Sequence, residues 1–166
     1  MSEKQYDVQA VKERLIAYRE MEREIENQSE LLERLVTRLE GIGAQEITDM
    51  PKAPSPSNDR MSDLISKKIE LENLIGEDLA FQRSERHYFE KILKSFKLAD
   101  ERAIIRMRYF MRMSWEEVNY SIFGGSKDYV DKEESYRRRT MKLHENALLH
   151  IAMYIEDHPE KNKAGA

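Results

Sequence analysis

Apolar residues recur every seven positions along the first part of the chain: Val11, Tyr18, Ile25, Leu32 and Leu39 form one series, and Val8, Leu15 and Val36 fill most of the companion positions. Glu22 and Ser29 interrupt the second series. This spacing predicts a helix over about 8–39. It is too long for a small core, so its stripe should pack along one partner helix, in the same chain or another. Val11, Leu15, Tyr18, Ile25, Leu32, Val36 and Leu39 are the expected interface. Gly41-Ile42-Gly43 should stop this helix, and residues 41–58, with Pro51, Pro54 and Pro56, should form a flexible linker. Asp59 is placed to cap a second long helix over about 59–96. There Leu64, Leu71, Ile75, Leu79, Phe89, Leu93 and Phe96 recur at three-to-four spacing, interrupted by Lys68, Gln82 and Arg86. An antiparallel hairpin is favoured because loop closure across such a linker costs little entropy, although pairing between chains satisfies the same stripes.

The pattern changes after residue 97, where three shorter helices are expected. In the first, Ala103, Ile104, Met107, Phe110 and Met111 share one side, with Arg102, Arg106 and Tyr109 on another. Ser114-Trp115-Glu116-Glu117 has the form of a capping box, and Met113 and Val118 are spaced as a hydrophobic staple. A second helix should start there, bury Trp115, Val118 and Ile122, and end at Phe123-Gly124-Gly125-Ser126. Asp131-Lys132-Glu133-Glu134 should cap the third helix, which carries Tyr136, Thr140, Leu143, Ala147, Ile151 and Tyr154 along one stripe. At 100° per residue Arg138, Met141, Lys142 and Glu145 lie opposite that stripe, with Arg137 and Arg139 at its flanks. Three helices in this order form a helix-turn-helix whose third member can be held by its apolar side while its basic side enters a DNA groove.

Leu98-Ala99-Asp100-Glu101-Arg102, Met107-Arg108-Tyr109-Phe110, Ser114-Trp115-Glu116-Glu117-Val118, Ser135-Tyr136-Arg137-Arg138-Arg139 and Leu143-His144-Glu145-Asn146-Ala147-Leu148 resemble region four of the sigma-70 family. They are more similar still to small phage proteins containing such a domain, the RinA and ArpU-like late transcription regulators. Ile47-Thr48-Asp49-Met50-Pro51 and Leu71-Glu72 are similar to that group's join between halves. One departure is the connection Phe123 to Val130, longer than an ordinary region-four turn. The resemblance implies an all-helical protein acting on phage gene expression through DNA, RNA polymerase or both, in the cytoplasm of a bacterial host.

Composition narrows the alternatives. Of 166 residues 36% are charged and only 6 are glycine, which favours long solvated helices. Without cysteine there is no disulfide framework, thiolate zinc site or cysteine nucleophile. The first residues lack a signal-peptide plan, and no apolar run approaches the roughly 18 residues that span a bilayer. The net charge of −4 disfavours a polyanionic partner overall. Yet residues 1–50 hold 7 Lys/Arg against 12 Asp/Glu, whereas 97–145 hold 11 against 9, so the DNA-facing half is the less acidic. Affinity is then expected from a local patch helped by self-association or a protein partner.

The Arg137-Arg138-Arg139 run on an arbitrary helix reads best as a solvated charge face. After two capped short helices it reads better as a DNA-contacting face. Arg137 and Arg138 are the leading candidates, then Ser135 and Lys142, with Arg139 either a contact or a cover for the core. Arg106 and Arg108 are candidates for the DNA backbone or RNA polymerase, or for pairing with local acids. Trp115 reads as packing rather than as a base-stacking platform. His87, His144, His150 and His158 show no ligand spacing, and there is no P-loop, dinucleotide fingerprint or nucleophile elbow, so no metal, cofactor or catalysis is expected.

The expectation is an all-α protein: a long N-terminal helical hairpin or coiled coil over 1–96, a helix-turn-helix over 97–156, and a disordered tail over 157–166. Its expected partners are double-stranded DNA, RNA polymerase and a second copy of itself, a dimer being favoured, and no membrane. A DNA-packaging assembly protein and a protein-binding adaptor without DNA contact are the alternative readings.

Overall fold

The periodicities resolve into helices alone. The computed structural model describes residues 6–45 and 57–159. Among them the order is α1 (Val8–Gln45), α2 (Ser57–Leu93), α3 (Ala99–Ile105), one π-helical turn (Arg106–Phe110), α4 (Trp115–Phe123) and α5 (Glu133–Asp157), with no strand. The all-α class is therefore as expected. Residues 46–56 of the expected linker and 160–166 of the expected tail lie outside the described residues.

Several boundaries differ from expectation. Gly41 and Gly43 do not stop α1, which continues through them to Gln45. Glycine ends a helix when it adopts a left-handed conformation, and no described glycine has positive φ. Asp59 sits inside the first turn of α2 rather than ahead of it. α2 ends at Leu93, short of Phe96, where the Ser95 and Phe96 amides turn back onto the carbonyls of Ile92 and Leu93. At the other end of the chain Asp157 still belongs to α5, and the His158 ring stacks on Tyr154 with centroids 4.1 Å apart.

The chain divides into two compact units, residues 1–20 with 83–166, and residues 21–82. In the second, α1 and α2 run antiparallel. Ile25 and Leu64 are buried in the seam, and buried Gln28 donates to Asp78 Oδ2 at 3.1 Å and to Glu24 Oε1 at 3.3 Å. Leu32, Val36 and Leu39 are only half-buried, because two helices without a third layer bury a narrow seam. Leu31, Leu74 and Phe81 remain exposed.

In the first unit the start of α1 and the end of α2 share one core with the C-terminal helices. Leu15, Phe89, Ile92, Leu93, Ile105 and Ile151 are fully buried there, each worth roughly 1.5–3 kcal/mol relative to exposure. Val11 and Tyr18 join the same core, Tyr18 meeting Phe110 edge-on at 5.2 Å. Arg14 grips Glu85 through Nε at 2.8 Å and a second nitrogen at 2.5 Å while lying over Tyr88.

Candidate nucleic-acid interface

The helices that carry the candidate face are assembled by three local devices. The first is the π-helical turn. Met111 N–H reaches back to Arg106 O at 2.8 Å, and Arg112 takes φ 57°, a left-handed conformation that costs a non-glycine residue roughly 1 kcal/mol. One residue wider than an α-turn, it rotates the faces that follow. The expected apolar face holds at Ile104 and Phe110, which are buried, and fails at its end: Tyr109 points inward and is 3% exposed, whereas Met111 is 65% exposed. Inside, the Tyr109 hydroxyl lies 2.8 Å from His144 Nε2. Burial pushes the Tyr109 phenol up to about 12 and, aided by Lys12 and Arg108, pulls the His144 imidazole down to about 4. His144 is therefore neutral at pH 7, and its Nε2 shares one hydrogen bond with the Tyr109 hydroxyl.

The second device is the capping box. Ser114 Oγ accepts from the Glu117 amide at 3.3 Å, and Glu117 Oε2 accepts from the Ser114 amide at 2.7 Å, as the sequence predicts. Those bonds hold the Glu117 carboxyl below its ordinary range. Val118 is fully buried, while Trp115 and Ile122 are half-buried, Trp115 resting edge-on against His144 at 4.7 Å. That geometry suits Trp115 as a packing residue.

The third device is the long connection between α4 and α5. Within it the amides of Ser126, Tyr129 and Lys132 turn back onto the carbonyls of Phe123, Ser126 and Asp128. Tyr129 packs against Tyr120 and Tyr136, and Phe123 against Tyr136, with centroids 5.0–5.8 Å apart. At its centre buried Asn119 accepts from Thr140 Oγ1 at 2.8 Å and donates to the Tyr129 hydroxyl at 3.0 Å. One side chain thus ties α4, the connection and α5 together. The expected cap from Asp131 is not formed: Lys132 is the N-cap, without a side-chain bond. Asp128, one turn earlier, instead accepts from Tyr136 and pairs with Lys132 at 2.8 Å, which lowers its carboxyl to about 2.

These devices hold α5 by one stripe. Thr140, His144, Ala147, Leu148, Ile151 and Ala152 are buried, and α3 and α4 both pack on the helix. Ser135, Arg137, Arg138, Arg139 and Lys142 are all exposed. Among the described residues Arg137 and Lys142 form no ion pair, and Arg138 reaches Glu134 only at 3.7 Å between exposed partners, a contact worth little. Arg139 behaves differently. Its guanidinium lies 4.8 Å from the Phe123 ring centroid and 5.4 Å from that of Tyr136, covering the aromatic cluster of the connection.

The two other candidate arginines are engaged within the fold. Arg106 makes a two-pronged bond with Glu90 at 2.7–3.2 Å, which raises its own pKa and lowers that of Glu90. Arg108 lies over the Trp115 ring at 4.7 Å and donates to Met113 O at 2.9 Å. The residues that sequence reasoning missed are Asn119, Tyr129, Tyr109 and His144. Asn119 had a signal: it falls on the same buried arc as Trp115, Val118 and Ile122. Among the described residues no cluster of His, Asp and Glu has the makings of a metal site, and no helix is long and apolar enough to cross a membrane. Comparison of the chain with known protein families, curated proteins and solved structures finds no match.

Proposed function

We propose that this protein is a phage-type transcription regulator that binds promoter double-stranded DNA through α5. The observation that carries the reading is the exposed, cationic N-terminal part of a helix whose opposite side is locked into a helix-turn-helix. Arg137 and Arg138 are the base or phosphate contacts, with Ser135 and Lys142 beside them, since arginine pairs with guanine edges in the major groove. Arg139 supports the connection. Arg106 is removed from the first rank of contacts, because Glu90 already pairs with it, whereas Arg108, held only by a carbonyl and the Trp115 ring, keeps a charge free of any carboxylate. The resemblance to the RinA and ArpU-like regulators supports the same reading, and RNA polymerase is the protein partner it implies.

Glu133 and Glu134 at the start of α5 weaken phosphate approach there, so a monomer should bind modestly and self-association should strengthen binding. The exposed Leu31, Leu74 and Phe81 of the second unit favour such association, a dimer first, and they equally favour the adaptor reading. A DNA-packaging assembly protein also combines oligomerising helices with a helix-turn-helix; a ring of many subunits in solution would select it. The test of the proposal is fluorescence anisotropy with duplexes tiling the neighbouring genomic region, with random duplex as competitor and at two salt concentrations. Tight binding to one fragment that survives competition is expected. No preference above random DNA overturns it and selects the adaptor.

A further inference from the structure

In the first unit a cleft of about 490 Å³ opens between the start of α1, the π-helical turn, the start of α4 and α5. Three cations line it: Lys12 and Arg19, seven residues apart on one face of α1, and Arg108 from the π-turn. Glu145 is the one acid in the lining. Among the described residues neither Lys12 nor Arg19 takes part in an ion pair, and Arg108 is held by a carbonyl and the Trp115 ring rather than by a carboxylate. This concentration occurs in a chain of net charge −4, so composition does not account for it.

The cations also act on one another. Burial and the nearby Arg19 hold the Arg108 guanidinium below its ordinary pKa, and Lys12 and Arg108 help keep His144 neutral. The repulsion between Arg19 and Arg108 is relieved by an anion placed in the cleft. A tetrahedral oxyanion suits the set, because arginine forks and a lysine ammonium are charge-assisted donors that match its oxygens. We propose that this cleft binds a phosphate group. On α5 the cleft residues Met141 and Glu145 lie within an arc of about 100° that also holds Arg137 and Arg138. The phosphate therefore comes either from the backbone of DNA held by α5, a source that rests on the function proposed above, or from a free phosphate compound, which does not.

Trp115 is the only tryptophan of the chain and lines the cleft under Arg108, so its emission is the readout. The full chain is titrated with pyrophosphate at constant ionic strength, sodium chloride making up the balance. A saturable change is expected. It should be weakened about tenfold or more in the double variant Lys12→Gln/Arg19→Gln, as expected when two of three charged donors are lost, and kept in Lys91→Gln, an exposed cation of α2 outside the lining. Circular dichroism of the double variant checks the fold, and Lys12→Gln alone, an exposed position, should give a smaller loss. A change that does not saturate, or that is equal in the double variant, overturns the proposal. A second arm measures duplex binding. If the double variant binds duplex more weakly and pyrophosphate competes, DNA supplies the phosphate; if duplex affinity is unchanged while pyrophosphate saturates, a free compound does. Should the wild type bind no duplex at all, the regulator reading fails while the pyrophosphate titration still decides the cleft.

Discussion

Asn119→Ala removes the side chain that joins α4, the long connection and α5. Asn119 is 3% exposed and makes two side-chain hydrogen bonds, at 2.8 Å with Thr140 and 3.0 Å with Tyr129. Each is worth a net ~1 kcal/mol, with more lost where a buried group is left unpaired. The partners differ in what they fall back on. Fully buried Thr140 can still donate to Tyr136 O at 3.1 Å, and the half-buried Tyr129 hydroxyl can rehydrate. The penalty for orphaned groups is thereby small, and the expected cost is about 2 kcal/mol in total. Urea unfolding measures it, at unchanged denaturant slope. Because Asn119 and Thr140 touch directly, a double-mutant cycle with Thr140→Val should return a coupling of about 1 kcal/mol. A loss below about 0.5 kcal/mol, or no coupling, would refute the view that this network sets the seat of α5.

Other outcomes follow from single contacts. The His144 imidazole falls from 6.5 to about 4 on folding, so the unfolded chain takes up its proton first on acidification. Its stabilising contribution is full above pH 6.5 and is lost as pH falls towards 4, by up to about 3 kcal/mol. His144→Gln should flatten that part of the stability–pH curve, and an unchanged curve would contradict the burial argument. At Gly124 an added Cβ would stand 2.5 Å from Tyr120 O and 2.7 Å from its ring, so Gly124→Ala should cost about 1–3 kcal/mol in thermal or urea unfolding. Arg106→Ala breaks a partly exposed pair with Glu90 and should cost no more than about 1 kcal/mol, leaving DNA affinity within about twofold. A large loss of DNA binding would restore Arg106 as a contact.

The elements were legible where their signals are local. The capping box at Ser114 and Glu117, the end of α4 at Phe123 and half of the predicted α5 stripe, Thr140, Ala147 and Ile151, appear as the spacing predicts, whereas Gly124 ends α4 without a left-handed turn and His144, Leu148 and Ala152 are buried where Tyr136, Leu143 and Tyr154 were expected. The π-turn was not legible, because a helix with one extra residue in its turn has no composition of its own; Tyr109, one turn beyond fully buried Ile105, lies on that residue's side even in a regular phase. Gly41 and Gly43 misled for a related reason: glycine permits a stop, and only backbone conformation decides whether it is used. At the candidate site the exposure of Arg137 and Arg138 followed from periodicity. The fastening of Arg106 by Glu90, and of Arg108 over Trp115, depends on which helices meet, information absent from either segment alone.

The central claim is that the exposed arginines of α5 hold DNA. It is tested most directly by comparing the wild type with Arg137→Ala/Arg138→Ala on the duplex that the wild type prefers, both proteins showing the same helical signal and melting curve. The two side chains are exposed and Arg137 forms no ion pair among the described residues, so folding should be indifferent to their removal. Each well-formed arginine–base pair is worth ~1–3 kcal/mol, so the double change should weaken binding by at least about tenfold and shrink the salt dependence. Identical occupancy by the two proteins would contradict the account.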